Sequence, residues 1–323
     1  MRRRGFLIAV ASAVVHSAIG DSRAEKIARI GFLTPFRNGW AFEEGFHQGL
    51  RELGYVEGES IAIESRRATE SYADLSALAV DLAHANVDVI ATMSTPAARA
   101  ALGATSTIPV VCLALGDPVG TGLVKSLAKP GGNATGVATL SSELASKRLD
   151  LLRQLAPNAR RIACLANPVN PTTRRALEQL RSAAATLGMT TEAVYARTSS
   201  DIDAALRAMP WKRMDGLVVL GEPYFVNHGA PIAQALKKAR MPAIFPFREH
   251  HEHGVLMSYG PDLKEVLHRG ASLVGKIVKG AQPADLPVEQ VSRVDLIIDL
   301  RVAREMGIKV PQDLLYRADR VIR

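Results

Sequence analysis

The chain has 323 residues, more than a single hydrophobic core ordinarily serves, so two domains are expected. With 47% hydrophobic and 22% charged residues it is globular rather than disordered. The formal net charge is +8, but no basic run interleaved with aromatics occurs past the first residues, which argues against nucleic-acid binding.

Met1-Arg2-Arg3-Arg4 followed by the mostly apolar Phe6–Ile19 reads as a secretory signal peptide over residues 1–24. The apolar stretch is too short and too interrupted to span a membrane. Ala18-Ile19-Gly20 and Ser22-Arg23-Ala24 both offer small-residue cleavage sites, and Arg3-Arg4-Gly5-Phe6-Leu7 resembles a twin-arginine signal. Export through the Sec or twin-arginine route is therefore expected. No cysteine near the cleavage region offers a lipid anchor.

Ile27–Leu33 is the first predicted strand, and Trp40–Leu53, with Phe42, Phe46, Leu50 and Leu53 at helical spacing, the first helix. Strands at Ser60–Glu64 and Val87–Ala91 flank a helix over Tyr72–His84. Pro96 marks the first turn of the next helix. Val110–Leu115 is an unbroken apolar run, the pattern of a strand covered on both faces, and it breaks at Gly116-Asp117-Pro118. After an extended piece at Gly136–Leu140 and a helix from Ser141/Ser142 to Leu155, the alternation restarts. Strands are expected at Arg161–Ala166, Thr191–Tyr195, Asp215–Leu220 and Ala243–Phe245. Between them lie helices at Thr172–Leu187, Ser199–Met209 and Val226–Arg240, the last becoming regular at Pro231. The chain returns through Val255–Tyr259, a helix at Pro261–Val278, a crossing at Leu286–Gln290 and a strand at Val294–Leu300, then ends in a tail formed by Leu300–Met306 and Pro311–Arg323.

Two successive βα series imply an α/β protein of two Rossmann-like, doubly wound parallel-sheet lobes. The expected division is residues 25–138 plus 259–287 for the first lobe and 139–258 plus 288–323 for the second.

In open parallel sheets ligands bind beyond the carboxyl ends of the strands. Those ends supply Thr34, Trp40, Ser94, Thr95 and Asp117 from the first lobe and Asn167, Glu222, Tyr224, Phe247 and Arg248 from the second. Tyr259 lies at a proposed crossing. Such a set suits a small zwitterion or an aromatic carboxylate. Arg248 could hold a carboxylate and Asp117 or Glu222 an ammonium. Trp40, Tyr224 or Phe247 could stack on a ring, and Ser94-Thr95-Pro96 could hold an anion at a helix start.

Glu249-His250-His251-Glu252-His253 suggests a metal site, but one polar loop without a distant ligand reads better as solvated, and no metal is expected. Cys112 and Cys164 each sit in an apolar run and read as buried small hydrophobes. There is no G-x-S-x-G elbow, P-loop lysine, H-E-x-x-H or G-x-G-x-x-G, so neither an enzyme nor a cofactor is expected.

Five stretches carry a family resemblance: FHQGLRELGYVE (Phe46–Glu57), GDPVGTGLV, LAKPGGNATGVATLSSELASKRLDLL, MSYGPD, and KGAQPADLPVEQ with the following LIIDL and GIKVPQDLL. Together they resemble exported substrate-binding proteins of an ABC-transporter family with the periplasmic-binding-protein type I fold. The resemblance implies two lobes joined by a three-crossing hinge, a small-molecule ligand, permease subunits as partners, a periplasmic monomer, and relatives that take aromatic amino acids. A sensor presenting ligand to a membrane receptor is the alternative. Where such proteins carry a polar-Pro-aromatic loop, often with Asp, this chain has Gly221-Glu222-Pro223-Tyr224, whose longer acid is expected to reshape the pocket.

Overall fold

The computed structural model describes residues 27–37 and 40–323; the expected signal peptide lies outside them. The first series runs β1 (Ala28–Thr34), α1 (Glu43–Glu52), β2 (Ile61–Arg67), α2 (Leu75–His84), β3 (Val89–Thr92), α3 (Thr95–Ala104), β4 (Val110–Leu115) and β5 (Ala134–Ala138). α4 (Glu143–Leu155) leads into β6 (Arg161–Ala166), α5 (Thr173–Thr186), β7 (Thr190–Tyr195), α6 (Ser199–Ala208) and β8 (Gly216–Val219). Then come α7 (Pro223–Asn227), α8 (Gly229–Ala239), β9 (Ala243–Ile244) and β10 (Met257–Gly260). The chain finishes with α9 (Leu263–Val278), β11 (Glu289–Gln290), β12 (Asp295–Asp299), α10 (Leu300–Met306), α11 (Gln312–Arg317) and β13 (Arg320–Ile322).

The first sheet has the order β11-β5-β4-β3-β1-β2 and every pair is parallel. Its central strands are covered on both faces, which is why VVCLAL shows no polar alternation. Phe46 and Leu50 of α1 join Leu267, Ala271 and Val274 of α9 over one face. Leu75, Ala79 and Leu82 of α2 and Ala97, Ala98 and Ala101 of α3 cover the other.

The second lobe repeats the plan with β7-β6-β8-β9, again all parallel. A single bridge from Phe245 to Ser258 joins it to β10-β12-β13, where β10 and β12 run antiparallel. α4 and α5 pack on one face and α6 and α8 on the other. Cys112 and Cys164 are buried free thiols, one in each lobe, and burial pushes both up to about 12.

The chain passes between the sheets at 139–142, 261–262 and 291–294. Leu286–Gln290, expected as a crossing, ends in β11, which pairs with β5 in the first sheet, so the chain passes over just after it. The expected tail carries α11 and β13.

Two local expectations need correction. The stretch expected as one helix over Val226–Arg240, regular from Pro231, is two: α7 starts at Pro223, where Glu222 caps it by accepting from the Tyr224 N–H, and α8 starts at Gly229. Pro231 falls in the first turn of α8, where no backbone donor is missed. Arg248–His253 is not a solvated loop but a 3-10 turn with Glu249 7% and His250 0% exposed. The ring of His250 lies between Phe245 and Phe247, at 4.8 and 6.3 Å, and contact with two aromatic faces outweighs the polarity of the sequence. Among the described residues no cluster of three or more His, Cys, Asp or Glu is placed to hold a metal.

Candidate ligand-binding cleft

The carboxyl ends of both central sheets meet at one cavity. Its first-lobe wall is Phe36, Met93, Ser94, Thr95, Ala114 and Gly116. Asn170, Thr172, Gly221, Glu222, Pro223 and Phe247 form the second-lobe wall. Thr139 and Ser141 of the first passage and Leu263 of α9 complete it. The lobes approach closely here: a Cβ on Gly116 would lie 2.7 Å from the Thr172 methyl. The space open to water centres is about 40 Å³, room for a few water molecules.

Hydroxyls and helix starts dominate the polar surface. Ser94 caps α3 from a left-handed backbone position, φ 99°, accepting from the Ala97 N–H. Such a conformation in a residue with a side chain is strained and collects at functional sites. Thr95 Oγ1 accepts from the Gly116 N–H at 3.0 Å, tying the start of α3 to the end of β4. From the opposite lobe, Thr172 precedes the first turn of α5 and donates to Asn170 Oδ1 at 2.9 Å. Two helix starts, each with partial positive character, therefore line the cavity from opposite sides.

Glu222 is the one charged residue in the lining and is 1% exposed. Tyr72 Oη donates to one carboxylate oxygen from the first lobe, and Asn170 Nδ2 donates to the other at 3.0 Å. No Lys, Arg or His among the described residues pairs with it. Burial holds its carboxyl above the ordinary range despite these donors. Beside it the Tyr72 and Tyr224 rings are 4.6 Å apart, and Tyr224 Oη donates to the Ala68 carbonyl at 3.0 Å. The carboxylate thus belongs both to the cavity and to the contact between the lobes.

Of the residues singled out by sequence, the structure brings Ser94, Thr95, Glu222 and Phe247 together in the lining. Thr34 is buried at the end of β1, accepting from the Phe36 N–H, and Phe36 reaches the cavity instead. Trp40 stacks on Phe42 and donates to Asn227 Oδ1 at 3.1 Å, an interlobe contact. Asp117 closes its own loop through the Gly120 N–H and pairs across the cleft with Arg175 at 3.2 Å. Asn167 caps the Val169 N–H, while Asn170 in the same loop faces the cavity. Tyr224 is packed into the second-lobe core. Arg248 sits outside the cleft, paired with Asp262 at 2.8 Å and with Asp295. Tyr259 packs against the other face of that lobe.

Sequence reasoning did not select Asn170, Thr172, Thr139 or Ser141. The signal for the first two was the polar, proline-flanked stretch Asn167–Thr172, read only at its first position.

Residues 40–322 match the family described as ABC transporter substrate binding protein. A tyrosine-binding protein of Clostridioides difficile is 27% identical over 279 residues, 86% of this chain and 80% of that protein. The solved ABC domain in complex with L-Trp from Streptococcus pneumoniae is 27% identical with a TM-score of 0.84, covering 92% of this chain and 100% of that one. A conserved domain protein from Vibrio cholerae is 28% identical with a TM-score of 0.86 at the same coverage. With two parallel-sheet lobes, three passages and a cavity between them, this chain belongs to the ABC transporter substrate-binding protein family and has the type I periplasmic-binding-protein fold.

Proposed function

We propose that the protein is the exported solute-binding component of an ABC importer and captures an α-amino acid with an apolar or aromatic side chain between its lobes. The observation that carries this is the pairing of a single buried carboxylate, Glu222, with hydroxyl-bearing helix starts on both walls of one cavity. Glu222 suits an ammonium group. Ser94, Thr95 and Thr172 at the starts of α3 and α5 suit a carboxylate without any basic side chain. Phe36, Met93, Phe247 and Leu263 offer apolar surface to the remainder of the ligand. The names of the tyrosine-binding relative and the L-Trp complex agree with such a ligand.

No bond is made or broken in this reading. The cavity is too small for an amino acid as it stands, so the lobes part to admit one and close around it. Tyr72 meets Glu222 only when the lobes are together, so contact of the ligand with that carboxylate biases the same equilibrium. The closed form exposes a surface spanning both lobes, and that surface is what the permease reads from the periplasm.

Calorimetry with L-tyrosine, L-tryptophan and L-phenylalanine tests the proposal, with tyramine and 4-hydroxyphenylpropionate as analogues lacking one charge. At least one amino acid is expected to bind, and its single-charge analogues much more weakly. If none of the three binds, or if the analogues bind equally well, the amino-acid reading fails.

A further inference from the structure

Arg148, on α4, heads the fully buried side chains in size, at 0% exposure. No carboxylate among the described residues pairs with it. Its Nε donates to the Tyr259 carbonyl at 2.8 Å and its Nη1 to the Ser141 carbonyl at 3.1 Å, while Nη2 finds no acceptor among the described residues. Burial pulls the guanidinium down to about 9. A buried charge without a counter-ion is costly, and a methionine would fill similar space without that penalty. What methionine could not do is hold two carbonyls at once.

Those two carbonyls lie in a particular place. Ser141 belongs to the first passage between the lobes, and its Oγ, 2.9 Å from Thr139 Oγ1, lines the cavity. Tyr259 precedes Gly260, the last residue of β10 before the second passage. The backbones are crowded at that point: a Cβ on Gly260 would lie 1.8 Å from the Pro246 carbonyl oxygen and 3.5 Å from Arg148 Nη2.

We propose that Arg148 is the positioning residue of the hinge, its planar guanidinium fork holding the first passage, at Ser141, at a fixed spacing from the end of β10, at Tyr259, that leads into the second passage. This deepens the capture reading and rests on it. The passages are the segments that must absorb any change in lobe angle, so the residue that spaces them sets the preferred angle. It also ties that spacing to the cavity through Ser141. A lysine keeps the charge but is a point donor on a flexible stem and cannot reproduce the fork.

Arg148→Lys and Arg148→Gln test this by hydrogen exchange, small-angle scattering without ligand, and calorimetry with L-tyrosine. In both variants, amide exchange at 139–142 and at Gly260 and Asp262 is expected to speed up by about ten-fold or more, with β3 and β8 unchanged. The radius of gyration should rise and L-tyrosine should dissociate faster. In the unsubstituted protein the Arg148 Nε–H resonance should resist exchange with water. The proposal is overturned if exchange at the passages is unchanged, if it rises evenly through the chain as for a plain packing defect, or if that resonance exchanges freely. Exchange and scattering need no ligand. Failure of all three amino acids to bind the unsubstituted protein would therefore sink the ligand assignment and leave the hinge test intact.

Discussion

Glu222 and Arg248 look equivalent in sequence, charged residues just beyond strand ends, and the structure gives them opposite work. Glu222 faces the cavity with three neutral donors and, among the described residues, no cation. Glu222→Gln should fold normally and weaken L-tyrosine binding by about 10–100-fold in calorimetry, the range for losing a charge-assisted hydrogen bond. Because burial raises its pKa above the ordinary 4.5, affinity should fall on acidification at a higher pH than an exposed glutamate would dictate. Arg248 instead joins Asp262 of the second passage to the buried Asp295 of β12. Arg248→Ala should leave ligand affinity unchanged. It should lower stability to urea by about 1–3 kcal/mol, softened because Arg293 remains on Asp295.

At the scale of elements, the 3-10 turn Arg248–His253 makes stability depend on pH. Burial raises Glu249 from 4.5 to about 8, so the fold holds a proton there that the unfolded chain gives up. Its stabilising effect is complete below pH 4.5 and is lost as pH rises toward 8. Burial lowers His250 from 6.5 to about 3, so its effect is complete above pH 6.5 and is lost as pH falls toward 3. Glu249→Gln should raise Tm above pH 8 and match the unsubstituted protein below pH 4.5. His250→Gln should flatten the acid limb between pH 3 and 6.5. Thermal melts from pH 3 to above pH 8 check both, and parallel curves for variant and parent would contradict them.

In the whole molecule, the contacts between the two lobes are of different kinds. Tyr72–Glu222 and Tyr224–Ala68 lie beside the cavity, Trp40–Asn227 lies farther along the cleft, and Asp117–Arg175 lies at the rim. The rim pair involves a half-exposed arginine, so it is worth no more than about 1 kcal/mol. Asp117→Ala should therefore leave Tm within a degree or two. It should still weaken L-tyrosine binding by about three- to five-fold at most, since 1 kcal/mol of closure free energy reads directly in Kd. Scattering should show a slightly larger ligand-free particle. A large fall in Tm would mean that Asp117 supports its own loop more than it supports closure.

What the sequence determined by itself was the repeating part of the protein. Apolar runs such as VVCLAL announced strands covered on both faces, helical stripes such as Phe42-Phe46-Leu50 announced their covers, and long motifs identified the family. Such signals are local, since each follows from the period at which side chains meet a neighbouring layer. Ser94, Thr95, Glu222 and Phe247 were legible for the same reason, because each lies at the end of a strand whose direction the alternation had settled. Which neighbour in a loop turns inward was not legible. Asn170 rather than Asn167, and Phe36 rather than Thr34, reach the cavity because of turns that bring residues far apart in the chain together. The same holds for Arg148 and His250, polar residues that tertiary contacts bury between backbone carbonyls and aromatic rings. Burial is a property of the assembled layers, and no window of sequence contains it.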